Sequence, residues 1–354
     1  MIRSDELFLN FKYAFRPRKP WLVGRLAWAV IRSYLFRRST LRYVDFAIDF
    51  ACNLRCEHCF AAALQAPGRR QMMLDDYARV AKECMELGAV NFSFQGGEPL
   101  LFKQLGDIIA ACRPHLNVVS VSTNGTLLTA ERVANLKQMG VDILTISLDS
   151  AIAEEHDRFR GVVGTFAKTM AGIRLALKEK LRVTLGTVVT HQTLRSEGIA
   201  GLIRLAQELR VLLYFIWPVR AGHWLGNQEI LLTPEDLEYI DELTRTSPYL
   251  RTDLQANMGF YGCGAVKEIL YLTPYGDVLA CPFLHISLGN IFQESVRTIR
   301  DRALKNPYFA TYQPNCLAST DAAFIDKYLS KTFTAQQLPI AWNEVFLEEP
   351  EGSL

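Results

Sequence analysis

The chain has 354 residues, with 39 Lys and Arg against 37 Asp and Glu and 49% apolar residues. That length allows one large domain or a domain with an appendage, the apolar share supports a substantial core, and the near-neutral balance gives no general case for nucleic-acid binding. Eight cysteines without a secretory signal argue for reduced thiols and a cytoplasmic compartment, and no apolar run reaches the ~18 residues that would predict a membrane-spanning helix.

The charge is uneven. Residues 1–42 hold ten Lys and Arg and only two acids, Asp5 and Glu6. Pro20 can open a helix. Arg18, Arg25 and Arg32 recur every seven residues and share one face, while Trp21, Leu22, Leu26, Ala29, Val30 and Tyr34 fill much of the rest. A basic, tryptophan-bearing amphipathic segment over residues 18–38 reads as interfacial, lying on an anionic membrane surface. The competing reading is a helix packed on the catalytic domain with its arginines in solvent, the ordinary fate of a surface helix.

From residue 43 strands and helices alternate. Strands are predicted over 43–50, 90–95, 117–123, 141–148, 182–190 and 212–217, and helices over 74–87, 101–112, 130–139, 165–177 and 196–209. Apolar strands in βα-like units predict a parallel sheet covered on one face by helices, with ligands at the carboxyl ends of the strands.

The first strand delivers Cys52-Asn-Leu-Arg-Cys56-Glu-His-Cys59. A loop this tight can aim three thiolates at one metal centre. A [4Fe–4S] cubane takes four ligands, and the next cysteine is Cys84. The spacing therefore points to a cluster with one iron open to a small molecule. A zinc site completed by His58 and three buried thiols are the alternatives.

The other strand ends carry polar groups. Gln95-Gly-Gly-Glu-Pro99 combines two glycines, which let backbone approach a ligand, with the Glu98 carboxylate, suited to an ammonium group. Ser122-Thr-Asn-Gly125, Ser147-Leu-Asp149, Glu155-His-Asp-Arg-Phe-Arg-Gly161 and Trp217-Pro-Val-Arg-Ala-Gly222 follow. Arg160 can grip a carboxylate with two N–H groups. Singly, each is a turn or a surface charge.

Further on, Thr233-Pro-Glu-Asp starts a helix with a Thr cap and early acids. Residues 269–283 read as a hairpin turning at Tyr275-Gly-Asp. Cys263, Cys281 and Cys316 are the late cysteines; Cys84 and Cys112 sit at apolar helix positions and read as core. His115, His156, His191, His223 and His285 include no pair at metal-ligand helical spacing; His191 and His223 follow strand ends, where a side chain can face the cavity, but the reading preferred for each is structural or solvated, and Asp142, Glu154 and the acidic tail read as solvated surface.

Residues Asp45 to Phe60, taken with the strand-end motifs in this order, resemble the radical S-adenosylmethionine (SAM) enzymes. The resemblance implies a partial (β/α)6 barrel over residues 43–230, with SAM's amino and carboxylate groups on the open iron of the Cys52/Cys56/Cys59 cluster. It implies that His58 packs by the adenine with Phe60 nearby, and that Gly96, Gly97 and Glu98 contact the SAM amino group. Ser122, Asn124, Ser147, Asp149 and Arg160 would complete the cofactor site, Ser147 and Arg160 at the ribose or carboxylate. Cys263-x12-Gly-x4-Cys281 resembles the extension called SPASM, or its shortened form, twitch. A full SPASM extension carries more cysteines than the three here. A small α+β twitch-like extension over 231–354 is therefore expected, with one auxiliary [4Fe–4S] cluster on Cys263, Cys281 and Cys316. Its fourth ligand is open between a side chain, solvent and the substrate; a degenerate, metal-free extension is the competing reading.

The activity so implied is reductive cleavage of SAM, with an electron from a flavodoxin- or ferredoxin-type donor, to a 5′-deoxyadenosyl radical that takes hydrogen from a substrate. Residues 1–42 are too short for the leader-binding domain common in peptide maturases, so a small-molecule or lipid-linked substrate is expected, with a peptide as the alternative. The rival from another class is an iron–sulfur electron carrier or cofactor-assembly scaffold.

Overall fold

A computed structural model of the chain describes residues 19–34, 39–255 and 262–346. Helix α1 spans Pro20–Tyr34; of the residues 18–38 considered for membrane contact, 18 and 35–38 lie outside the described residues. The strands are β1 (Tyr43–Asp49), β2 (Asn91–Gly96), β3 (Val118–Thr123), β4 (Ile143–Ser147), β5 (Arg182–Val188), β6 (Leu212–Ile216), β7 (Leu250–Thr252), β8 (Ile269–Leu272), β9 (Asp277–Leu279), β10 (Ile286–Asn290) and β11 (Ile340–Ala341). Between them lie α2 (Leu74–Leu87), α3 (Leu105–Ala111), α4 (Ala130–Gln138), α5 (Ala153–Arg160), α6 (Thr165–Lys178), α7 (Glu197–Leu209), α8 (Pro234–Thr246) and α9 (Val296–Ala303).

All eleven strands form one sheet in the order β11-β10-β9-β8-β1-β2-β3-β4-β5-β6-β7. Every pairing from β8 through β1 to β7 is parallel. Strand alternation divides the sheet by face. Val44, Phe46, Phe92, Phe94, Val119, Val121, Leu144, Ile146, Leu185, Leu213 and Phe215 are buried in the apolar core. The intervening residues are largely polar: Tyr43, Asp45, Ser93, Gln95, Ser120, Ser122, Thr145, Ser147, Thr184 and Tyr214. One face thus packs under helices, and the other is a polar concavity, the lumen of an open barrel.

Local chemistry sets the helix ends. Thr129, Ser196 and Thr233 accept from the backbone N–H three residues on, and Thr233 with Asp236 forms a capping box. Helix α2 buries Tyr77, Val80, Ala81, Cys84 and Leu87, one stripe at helical spacing, and ends at Gly88 in the left-handed region. Cys84 and Cys112 are fully buried, as core positions should be. Helix α3 starts at Leu105, later than expected, because Glu98 caps a 3-10 turn at Pro99–Leu101. Helix α5 was not expected as a helix: it is highly charged and buries only His156 and Arg160.

The hairpin turns where the sequence places it, between β8 and β9. It is not a separate layer: β8 pairs with β1, Tyr271 opposite Asp45. Strand β7 joins the opposite edge against β6. Arg69 grips Asp277 with two hydrogen bonds of 2.8 and 2.9 Å, and the Tyr275 hydroxyl accepts from the Ala66 amide at 3.0 Å. Asp142, read as solvated, is instead paired with buried Lys19 and accepts from the Val119 amide at 2.9 Å.

Candidate active site and cysteine sets

Strand β1 ends at Asp49 and releases the chain into the cysteine loop. Four elements hold this loop. From the β2 end, the Gly97 amide donates to Asp49 O (2.8 Å) and the Glu98 amide to Ala51 O (2.9 Å). From the β3 end, Asn124 Nδ2 donates to Asn53 Oδ1 (2.9 Å), and Asn53 Nδ2 to Thr126 Oγ1 (3.0 Å). From the end of α5, Arg160 O and Phe159 O accept from the Arg55 and Glu57 amides. After β6, the His223 amide donates to Cys59 O (3.3 Å), and His223 Nδ1 lies 2.9 Å from Cys56 O.

These contacts require glycine. A Cβ at Gly97 would lie 2.1 Å from Ala51 O, one at Gly222 1.9 Å from Cys59 O, and one at Gly96 2.2 Å from Asp49 O. Cys52, Cys56 and Cys59 are all free thiols; Cys52 is exposed and Cys56 buried.

Arg160 and Asp149 form a buried pair, Nε to Oδ2 at 2.6 Å, and Arg160 Nη1 stands 3.6 Å from Cys56 Sγ. Burial opposes both charges, yet Arg160 holds Asp149 below the usual carboxylate range, and Asp149 with Cys56 holds the guanidinium above its ordinary value. Burial raises the Cys56 thiol, partly offset by Arg160. His58 stacks on Phe159 at 4.5 Å between ring centroids and tilts against Trp224. Burial and then Arg160 push it down to about 3, so it is neutral, and its Nδ1 is buried without a partner. Phe60 packs edge-on against Phe283 of the late segment.

Glu98 is buried and occupied: it accepts from Thr123 Oγ1 (2.7 Å), the Asn124 amide (2.8 Å) and the Leu100 amide (3.1 Å). It braces the turn after β3. Ser122 and Ser147 lie on the lumen face at the ends of β3 and β4.

The late cysteines converge too. Backbone pairing joins Cys263 to Gln313, near Cys316. Cys281 follows β9. The thiols are close enough that Cys263 and Cys281 raise Cys316, and Cys263 raises Cys281; burial is the larger cause and lifts Cys281 to about 12. Buried thiols side by side carry a cost unless a cation neutralises them, as iron does for the thiolates it binds. Both donor sets therefore fit iron–sulfur ligation. Among the described residues no three such side chains stand close enough round one point to hold a single ion. A small cavity is lined by Ala221, Phe283, His285 and Ala318 among others.

His223, Trp224 and Phe159 were not expected at the cluster loop. Their signal is position: two follow the β6 end, and one precedes Arg160.

An α/β open barrel presenting three thiols at the end of its first strand, with three more beside it, defines an iron–sulfur enzyme scaffold. Residues 50–205 match the Radical SAM superfamily, and residues 263–318 match an iron–sulfur cluster-binding domain, SPASM. The chain belongs to the radical SAM superfamily and is a radical SAM enzyme with a SPASM-type extension. Its cofactors are a [4Fe–4S] cluster, SAM and an auxiliary iron–sulfur cluster.

The chain is 28% identical over 292 residues to an AdoMet-dependent heme synthase of Methanosarcina barkeri, covering 74% of this chain and 82% of that protein. It is 26% identical over 291 residues to the antilisterial bacteriocin subtilosin biosynthesis protein AlbA of Bacillus subtilis, covering 77% and 62%. Streptococcus suis SuiB bound to S-adenosylmethionine shares the fold, with a TM-score of 0.60 at 17% identity, covering 82% of this chain and 72% of that one.

Proposed function

We propose that Cys52, Cys56 and Cys59 hold the SAM-binding cluster, that Cys263, Cys281 and Cys316 hold a single auxiliary cluster, and that the substrate is a small molecule. The observation that carries this is the packing of the two cysteine-bearing segments on one another, Phe60, next to Cys59, edge-on against Phe283, two residues after Cys281. Held there, a cluster and SAM would supply radical chemistry for removing a hydrogen atom from the substrate.

The chain's own residues prepare that step. Gly96 and Gly97 let backbone come close to the cofactor. Glu98 and Asn124 fix the turn facing SAM's amino group. Ser122 and Ser147 offer hydroxyls to its ribose or carboxylate. Asp149 orients Arg160, which lies at Cys56. His58, walled by Phe159 and Trp224, forms the apolar side against the adenine and excludes water. A flavodoxin- or ferredoxin-type donor supplies the electron, and residues 18–38 place the enzyme at a membrane surface.

The likeness to heme synthases supports a small molecule. The subtilosin protein's likeness supports a second reading, a peptide substrate. Anaerobic turnover with dithionite and SAM separates them. 5′-Deoxyadenosine should rise above its background with the low-mass fraction of the producing cells; a rise only with the peptide fraction selects the second reading. Release of none selects a carrier or scaffold.

A further inference from the structure

Helix α1 has two faces with opposite surroundings. Inward, Leu22 is 1% exposed and packs with Val90, Val118 and Ile143 at the starts of β2, β3 and β4. Lys19 Nζ donates to Asn117 O at 2.8 Å and pairs with Asp142; Arg25 donates to Leu116 O at 2.9 Å. These contacts fix the helix's rotation and place Arg25 against the barrel.

Outward, Trp21 is 74% exposed, Val23 53%, Trp28 54% and Ile31 39%, and Gly24 and Ala27 are exposed with them. At 3.6 residues per turn these six positions fall within an arc of about 160°. None is polar. Soluble proteins rarely leave a contiguous apolar face of this kind open to water.

Charge selects the partner. From residue 7 to 44 the sequence holds nine Lys and Arg and no acid. Lys19, Arg25 and Arg42 serve contacts within the chain, Arg42 with Glu268. The other six, Lys12, Arg16, Arg18, Arg32, Arg37 and Arg38, lie in or beside the helix in sequence. Two tryptophans on an apolar face within an acid-free, cationic stretch match an anionic bilayer surface. A second copy suits it poorly, because a two-fold contact would set this cationic stretch against itself. The described part of the helix cannot cross a membrane.

We propose that α1 is a peripheral anchor, its Trp21/Val23/Ala27/Trp28/Ile31 face seated in the headgroup region of an anionic bilayer, with the cysteine loop turned away from it. This specifies the membrane placement proposed above. α1 packs at the amino ends of parallel strands, and the loop leaves the carboxyl end of β1. The open iron thus faces the aqueous side, and the substrate reaches it from there.

The test is flotation of the full chain, reconstituted anaerobically, with phosphatidylglycerol-rich or pure phosphatidylcholine vesicles. Wild type should float with the former, far less with the latter, and be released by high salt. W21A/W28A should lose about tenfold or more in partition, with unchanged 5′-deoxyadenosine release. Wild type left in the soluble fraction with anionic vesicles overturns the proposal, as does equal flotation of the double variant. So does a lipid-free dimer that the double variant dissolves, which would make the face a self-contact. Loss of 5′-deoxyadenosine in wild type strikes the catalytic reading and leaves the anchor standing.

Discussion

Arg160 Nη1 stands 3.6 Å from the sulfur of Cys56 while its Nε donates to Asp149 at 2.6 Å. One guanidinium thus links a buried carboxylate to a proposed cluster ligand, and the same segment holds the loop backbone through Arg160 O and Phe159 O. Arg160→Gln strands Asp149 in the interior without its cation, which costs about 3–5 kcal/mol. Urea denaturation of the cluster-free protein reads that loss. In the reconstituted protein, removing the positive charge at Cys56 disfavours the reduced cluster. The midpoint potential followed by electron paramagnetic resonance should move negative in Arg160→Gln and less in Arg160→Lys. An unmoved potential in both would show that the sulfur contact has no electronic effect.

Glu98 offers a second test of structure against cofactor chemistry. Its carboxylate satisfies Thr123, Asn124 and Leu100. Glu98→Ala orphans buried donors, at about 1–3 kcal/mol for each group left unsatisfied. Equilibrium denaturation without iron or SAM should show the loss. Wild-type stability in that variant would mean the carboxylate serves the cofactor alone.

Much of this site was legible because its chemistry is local. Cys52, Cys56 and Cys59 lie within eight residues, and the glycines and Glu98 follow one strand. Strands β1–β6 were legible because their buried faces are almost wholly apolar. Strand β7 and helix α5 were not. The first is three residues long and stands only by pairing with β6; the second has a thin buried face. His223 and Trp224 were missed because their role depends on where the chain after β6 returns, a tertiary fact with no local pattern. Arg25 was misleading: seven-residue spacing put it on a basic face, while its hydrogen bonds to Leu116 O and Asn117 turn it toward the barrel.

Two glycines test the loop's close packing. Gly97→Ala drives a methyl against Ala51 O, and Gly222→Ala does so against Cys59 O, at φ +59°. Backbone must move in both, so iron per chain after reconstitution should fall below wild type. Gly164→Ala is the control. It has φ +82° but nothing within 4 Å, so it should cost about 1 kcal/mol and leave iron loading intact.

Asp45 gives the pH dependence. Burial pushes its carboxyl up to about 7. Its folded value lies above the unfolded value of about 4, so the folded state holds the proton more tightly. Its contribution to stability is fully present below about pH 4 and is lost as pH rises through 7. Asp45→Asn removes this titration. The variant's stability relative to wild type should therefore improve between pH 5 and pH 8, as read by denaturation at both. A pH-independent difference would mean Asp45 is ionised throughout.

We propose that three thiols at the end of β1 hold the cluster that cleaves SAM. The most direct measurement is 5′-deoxyadenosine released under anaerobic reduction with SAM, with iron counted in the same samples. Wild type should release it, and C52A/C56A/C59A should release none while keeping the iron of the late cysteine set. Release undiminished in the triple variant, or none from fully iron-loaded wild type, would contradict the account.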